Sequence, residues 1–432
     1  MSSEVVTRKV IPMQPVKSGG KDSSEFSLYE KTEKVYPRSV SGQFARLRWV
    51  MVWVTQIVFY GLPWLQWNDR QAVLFDLAER RFYVLGLVLH PQDFIYLAVL
   101  LITAALALFF FTAVAGRLWC GYACPQTVYT EIFLWVERRT EGDRQARMRL
   151  DVAPWSMQKL VRKGSKQLAW IAIALITGLT FVGYFSSIRG MLSELLNSTF
   201  TSWEWFWVLF YGLATYVNAG YMREQICKHM CPYARIQSAL IDMDSMVIAY
   251  DEQRGESRGS RARGADRASL GLGDCIDCTL CIQVCPTGID IRKGLQNECI
   301  ACAACIDVCD QVMQKMEYPK GLIRYTSGNG IAQQLTTGQI VRRINRPRVW
   351  IYCSLLLLVC SALVFSLSMR KSFSVDVIKD RGSLAREVGR GVIENVYRLQ
   401  IMNGLEQSQR YSVNVSGLPG LNVSSNAQLA VD

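Results

Sequence analysis

Four cysteines, Cys275, Cys278, Cys281 and Cys285, recur as Cys299, Cys302, Cys305 and Cys309, each displaced by 24 residues. The duplicated spacing, Cys-x2-Cys-x2-Cys-x3-Cys, has a mechanical meaning. Three thiolates on one tight loop reach three corners of a cubane, and the fourth, set further along, reaches across to the other cluster. The spacing predicts one 4Fe–4S cluster on Cys275, Cys278, Cys281 and Cys309, and a second on Cys299, Cys302, Cys305 and Cys285. A structural zinc site normally takes four ligands, not two interlocked sets of four. Eight soft thiolates suit iron and sulfur. The first motif ends Cys285-Pro286, whereas the second ends Cys309-Asp310.

The duplication accounts for eight of the 14 cysteines. A secreted disulfide scaffold would need a short chain with a signal peptide. This chain has 432 residues and a polar, core-less first 40, so no cleavable signal is expected. Half of the residues are hydrophobic, and five uncharged apolar stretches stand out: Trp49–Trp67, Phe94–Gly116, Gln167–Ile188, Trp205–Met222 and Val349–Met369. Each has about the 20 residues a helix needs to cross a bilayer. The fold class expected is a polytopic α-helical membrane protein of about five spans, carrying an inserted bacterial-type two-cluster ferredoxin domain (α+β) and a short β-rich tail.

Loop charge orients the spans. Residues 117–166 hold ten Lys and Arg against five acidic residues, while the loops after spans one and three hold three and one basic residues. The positive-inside rule puts the N-terminus, the 117–166 loop and residues 223–348 in the cytoplasm. Arg342, Arg343, Arg346 and Arg348 crowd the entrance to span five, and the C-terminus falls in the periplasm. Arg370 and Lys371 weigh weakly against that placement. The expected domains are a flexible N-terminus (1–40), a four-helix membrane domain (41–240), the ferredoxin domain (241–345), a fifth span (346–370) and the tail (371–432). Residues 251–270 read as a flexible linker. In the tail, the runs from Asn395 and Arg410 alternate apolar and polar residues as half-buried strands do. The net charge of +12 follows the spans rather than a nucleic-acid stripe.

Two further pairs, Cys120-Gly-Tyr-Ala-Cys124-Pro125 and Cys227-Lys-His-Met-Cys231-Pro232, follow spans two and four. If helical, the spacing sets both thiols of a pair on one face. The following prolines make Cys124 and Cys231 candidate N-caps, where free N–H groups favour thiolate. Brought together, the pairs make a soft four-sulfur site suited to copper(I), with zinc or a third cluster as alternatives. His229 and Met230 are candidate additional ligands. Cys353 and Cys360 read as packing residues, and His90 as an interfacial histidine.

These motifs, with Gly116-Arg-Leu-Trp and the segments from Asp380 and Ile393, resemble the FixG/CcoG/RdxA-type cytochrome oxidase accessory proteins. The resemblance implies a bacterial inner-membrane protein with an immunoglobulin-like tail. The role it implies is assembly of a cbb-type oxidase through reduction of Cu(II) to Cu(I). Cys120, Cys124, Cys227 and Cys231 would then handle copper. Oxidase assembly factors or subunits would be partners. One alternative is a quinol-linked carrier serving a periplasmic reductase; another is a non-catalytic copper or redox sensor. There is no haem-attachment motif and no dinucleotide fingerprint, so the electron donor stays open.

Overall fold

The computed structural model describes residues 34–264, 270–370, 373–379, 385–389, 391–404, 409–417, 419–422 and 429–431. Five long helices carry the apolar sequence: Gln43–Gly61, Phe94–Ala115, Met157–Val182, Ser202–Gly220 and Pro347–Ser368. Among the described residues three helices, Pro91–Ala115, Met157–Val182 and Pro347–Ser368, are long and apolar enough to cross a membrane. Arginines and glutamines dilute the 43–61 helix, and Glu204 with many tryptophans and tyrosines dilutes the 202–220 helix. The third apolar helix begins ten residues before the expected span and stops at Val182, because the chain turns at Gly183.

The 157–182 and 202–220 helices pack backbone to backbone. A Cβ added at Gly178 would lie 2.3 Å from the Val208 carbonyl oxygen, and small residues allow such close approach between membrane helices. The 94–115 and 347–368 helices run antiparallel. At one end the Arg370 guanidinium sits 2.5 Å from Asp93, which neutralises the charge that weighed against the expected topology. At the other, Arg346 donates to the Asp242 carboxylate at 2.5 Å and to the Ala113 carbonyl at 2.8 Å, and Arg348 reaches Asp242 at 3.2 Å. Burial alone would raise the Asp242 pKa, but Arg346, the Ser245 hydroxyl and the Asp244 N–H hold it down at about 2. A depressed carboxylate stabilises the fold above its unfolded pKa and loses that contribution as pH falls. Asp242 is therefore expected to contribute about 1 kcal/mol, after discounting for its exposure, that disappears between about pH 4 and 2. Unfolding midpoints of detergent-solubilised Asp242→Asn should show that acid-sensitive component missing.

The first expected span, Trp49–Trp67, ends as a helix at Gly61; Gln66 and Trp67, expected within it, and the loop after it fold into a hairpin and a three-stranded antiparallel meander, Val73–Asp76, Arg81–Val84 and Leu87–Leu89. The meander is tied to the turn after the 157–182 helix by Phe75 N–H donating to the Tyr184 carbonyl.

The ferredoxin domain is built on strand Val247–Tyr250 paired antiparallel with Ile323–Thr326. Helices Leu280–Gln283 and Ala304–Met316 lie within the two cysteine motifs, the first carrying Cys281 and the second Cys305 and Cys309. Ile248, Tyr250, Ile306, Met313, Leu322 and Ile323 form its buried core. Two expectations of flexibility are corrected here. Residues 36–40 are held: Tyr36 donates to Asp151, Ser39 to Asp143, and the Arg38 N–H to the Gln283 carbonyl. Within the expected linker 251–270, Arg254 pairs with Asp274 and Arg261 donates to the Gly273 carbonyl, so charge in that run is structural. Residues 1–33 and 265–269 lie outside the described residues.

In the tail, strand Phe373–Lys379 pairs with Tyr397–Asn403, and short ladders join 386–387 to 393–394 and 409–411 to 429–431. The expected strand character is present from Tyr397 in the first predicted run, but in the second only Arg410 and Tyr411 are in a strand and 412–415 are not. Of the segment beginning at Asp380, residues 380–384 lie outside the described residues.

Candidate iron–sulfur and thiol site

The two motif loops share one backbone device. Asp277 and Thr279 in the first, and Ala301 and Ala303 in the second, adopt left-handed φ of 53–59° at positions 24 apart. Non-glycine residues rarely hold this conformation, and it is tolerated where the surroundings enforce it. Alternating right- and left-handed residues turn successive N–H groups inward into a nest, the concavity that anionic groups and iron–sulfur clusters occupy. Each motif loop closes on a void. Cys275, Cys278, Cys281 and Cys309 line one, with about 380 Å³ of empty space including its mouth. Cys285, Cys299, Cys302 and Cys305 line the other, about 340 Å³ on the same measure, with Cys281 at its edge.

These voids fit clusters better than single ions. Among the described residues no three Cys, His, Asp or Glu converge closely enough to hold one metal ion. Each void is ringed by four thiols, the donor set that a 4Fe–4S cluster takes. Burial pushes the Cys281, Cys299 and Cys309 thiols up to about 12. Left to the protein alone they stay protonated; bound metal is what converts such thiols to thiolates. The Cys309-Asp310 ending has a local cause. Helix 304–316 continues through position 310, where a proline would break it, and Asp310 instead accepts the Gly321 N–H. After Cys285 the short helix has already ended, so Pro286 is tolerated.

The membrane pairs are built alike. Each closes on a five-residue backbone turn, Cys124 N–H donating to the Trp119 carbonyl at 3.0 Å and Cys231 N–H to Ile226 at 2.8 Å. Cys124 and Cys231 cap the helices beginning at Pro125 and Pro232, as expected. Neither pair lies on a continuous α-helix: the chain breaks before Cys124, and Cys227 sits in a π turn, Ile226–Met230. The expected thiolate character of Cys124 is also corrected. Burial raises the Cys120 thiol to about 12 and Cys227 to about 11, and it raises Cys124 despite the N–H groups of Thr127 and Gln126. Cys124, Cys227 and Cys231 are near enough to help raise the Cys120 thiol, and Cys124 and Cys231 that of Cys227. His229 and Met230 are exposed. Cys353 and Cys360 are half-buried in the 347–368 helix.

The thiol pairs and the second motif share a wall. Cys120 and Cys227 pack against Val284, Ile300, Cys302 and Ala304. Arg48 donates to the Cys302 carbonyl at 3.1 Å, and Arg117 to that of Cys299 at 3.1 Å. Asp307 caps the 43–61 helix from the ferredoxin side, accepting the N–H groups of Phe44 and Ala45 at 3.2 and 2.7 Å. A Cβ at Gly121 would lie 2.8 Å from both the Ile300 and Ala301 carbonyl oxygens. Gly121→Val is therefore expected to force the second loop away, costing about 2 kcal/mol and lowering iron content at that loop, measured by unfolding and metal analysis. Arg48, Gly121 and Asp307 were not singled out from sequence; Gly121 was signalled only by its place within the motif.

Comparison with known proteins agrees with this geometry. The chain is 38% identical to the nitrogen fixation protein FixG of Rhizobium meliloti, over 94% of this chain and 83% of that protein. It is 40% identical to RdxA and to RdxB of Cereibacter sphaeroides, covering 87% and 86% of them and 94% and 93% of this chain. The chain belongs to the FixG/RdxA family. A model of the 4Fe–4S dicluster domain matches residues 222–328, and one of a 4Fe–4S binding domain matches 97–141, across the first membrane pair. The model describing an Ig-like fold at the C-terminus of FixG matches 363–432, in keeping with the β-rich tail. No solved structure matches. As a FixG/RdxA-family member the chain is an iron–sulfur electron-transfer protein resembling oxidoreductases, with helices apolar enough for a membrane.

Proposed function

We propose that this FixG/RdxA-family protein is a cupric reductase of the bacterial inner membrane, supplying Cu(I) for assembly of a cbb-type oxidase. The observation that carries the reading is the shared wall: Cys120 and Cys227 touch the loop that presents Cys302. Cys275, Cys278, Cys281 and Cys309 would hold one 4Fe–4S cluster, and Cys285, Cys299, Cys302 and Cys305 the other. Such clusters supply single electrons, and Cu(II) accepts one to become Cu(I). The membrane thiols would meet the copper substrate, since soft sulfur favours the reduced ion. Cys120 donates to the Gln237 side-chain amide oxygen at 3.3 Å, which fixes its orientation next to the loop.

The topology proposed has five spans, with the ferredoxin domain cytoplasmic and the tail periplasmic. Loop charge supports it. So do the exposed Trp53, Ile57 and Val58 on the 43–61 helix, and Trp203, Phe210 and Leu213 on the 202–220 helix, which need lipid to cover them.

The test is anaerobic. Reduced protein in detergent receives Cu(II) with a Cu(I)-specific chelator, and the iron–sulfur spectrum is followed. Reoxidation with matching Cu(I), lost in a Cys120/Cys124/Cys227/Cys231→Ser variant that keeps its iron, is the expected result. Equal reoxidation in that variant would show that copper meets the iron–sulfur sites without the membrane thiols.

A further inference from the structure

Three arginines are buried among the described residues: Arg48, Arg117 and Arg147. Arg147 is paired with the Glu137 carboxylate at 2.7 Å. The other two are held by backbone instead. Arg48 donates to the Cys302 carbonyl at 3.1 Å. Arg117 donates to the carbonyls of Cys299 and Ala234 at 3.1 and 3.0 Å, and to that of Asn297. The Nε of each is buried with no acceptor. The carboxylates whose charge reaches Arg48 are engaged elsewhere: Asp307 accepts from Phe44 and Ala45, and Glu131 lies 3.9 Å from Arg138. Guanidiniums taken out of water without a counter-ion are costly, so this part of the fold favours a negative occupant.

Both arginines address the second motif loop, and neither comes from the ferredoxin domain. Arg48 lies on the 43–61 helix, and Arg117 stands just before the 118–122 helix that carries Cys120. The first motif is arranged differently. Its Arg292 is neutralised by Asp290 at 2.8 Å and Asp277 at 2.5 Å, and its Cys278 is exposed where Cys302 is buried.

We infer that Arg48 and Arg117 are the counter-charges of the second iron–sulfur site, and that they keep it reducible despite its burial. The inference rests on the electron-transfer reading above and deepens it, naming what sets the potential beside Cys120 and Cys227. An iron–sulfur group on four thiolates is already anionic, and net charge helps to fix its potential. Each electron taken up adds a further negative charge, which burial opposes. Two fixed cations at the carbonyls of the ligating residues offset that burial. The electron comes from a one-electron reductant and leaves to Cu(II), and the guanidiniums stay protonated throughout. The charge of Arg117 also reaches Cys120 and Cys227, so it acts on both sides of the shared wall. Both are positioning residues, acting through the second loop rather than touching copper.

The test reads potentials, with copper absent. Iron-loaded full-length protein in nanodiscs is titrated anaerobically with dithionite and mediators while its electron paramagnetic resonance signal is followed. A Cys309→Ala background isolates the second site, and a Cys302→Ala background the first. Arg48→Gln and Arg117→Gln keep a donor for the carbonyl but lose the charge. In the Cys309→Ala background each should make reduction about tenfold harder, a fall of about 59 mV for one electron. Arg48→Lys and Arg117→Lys keep the charge and should stay within about threefold of their parent. Glu131→Gln removes an opposing carboxylate and should ease reduction about threefold. In the Cys302→Ala background the same changes should matter by less than about twofold. The shifts should persist in about 1 M salt, because buried charges are little screened.

Iron content matching the parent shows that a variant has folded and loaded, and Glu131→Gln decides the matter if neither Gln variant at the arginines has. An unmoved second-site potential overturns the inference. So do Lys variants that fall as far as the Gln variants, or equal shifts at both sites. If Cys120/Cys124/Cys227/Cys231→Ser abolishes Cu(I) formation while the potentials ignore the arginines, only this inference falls. If the potentials shift as expected while that variant still forms Cu(I), only the copper reading falls.

Discussion

Cys309→Ala is expected to remove the iron–sulfur site of the first motif, although Cys309 belongs to the second. The Cys309 thiol lines the void of Cys275, Cys278 and Cys281, and Cys285 lines that of Cys299, Cys302 and Cys305. Iron per chain should fall by about half, one of two four-iron groups. Double variants expose the crossing, because residues serving one site do not add while residues serving separate sites do. Cys309→Ala with Cys278→Ala should lose no more iron than either alone. Cys309→Ala with Cys302→Ala should lose nearly all of it. The reverse pattern would mean that each motif fills its own site and that the fourth cysteines do not exchange. Cys285→Ala should behave as the mirror image, and should impair copper reduction more, since its site adjoins Cys120 and Cys227.

The crossing was legible because it follows from spacing alone: the fourth cysteine of each repeat stands too far along to join its own loop. The apolar helices and the tail strands were legible for the same kind of reason, a period or a length that side chains must satisfy. What sequence did not yield was contact between distant segments. Asp307 capping Phe44 and Ala45, 263 and 262 residues away, leaves no local pattern. Arg48 reads as a basic residue at a membrane edge until the Cys302 carbonyl appears beside it. The thiol pairs show the opposite failure. Their motif correctly marked Cys124 and Cys231 as caps, but the dipole argument was local and the burial that overrides it is tertiary. The meander at 66–89 was passed over because its strands are only two to four residues long.

Glu137→Ala is expected to be among the most destabilising single changes in the chain. The carboxylate is buried, with the Arg147 guanidinium at 2.7 Å and that of Arg223 at 2.8 Å. Arg223 also lies over the Trp170 ring at 5.3 Å, and Trp170 stacks on Phe133. Arg147 reaches on to the Pro37 carbonyl. Glu137 thus ties together the helix that follows Cys124, the segment entering Cys227 and the chain ahead of the 43–61 helix. Burial alone would raise its pKa, but Arg223 and then Arg147 outweigh that and leave it lowered. Its contribution is therefore full at neutral pH and fades as pH falls through and below the ordinary glutamate range. Removing the carboxylate leaves two buried guanidiniums without their counter-ion, a loss of about 3–5 kcal/mol. Removing the charges together should cost far less, because packed apolar groups replace a buried ion cluster with little penalty. Glu137→Leu with Arg147→Met and Arg223→Met should thus recover most of the unfolding midpoint that Glu137→Ala loses. Copper reduction should not return with it, since Arg223 also donates to the Ala219 carbonyl at the turn that sets Cys227 in place. Recovery of stability without recovery of activity would separate the two duties of this cluster: holding the fold and aiming the thiols.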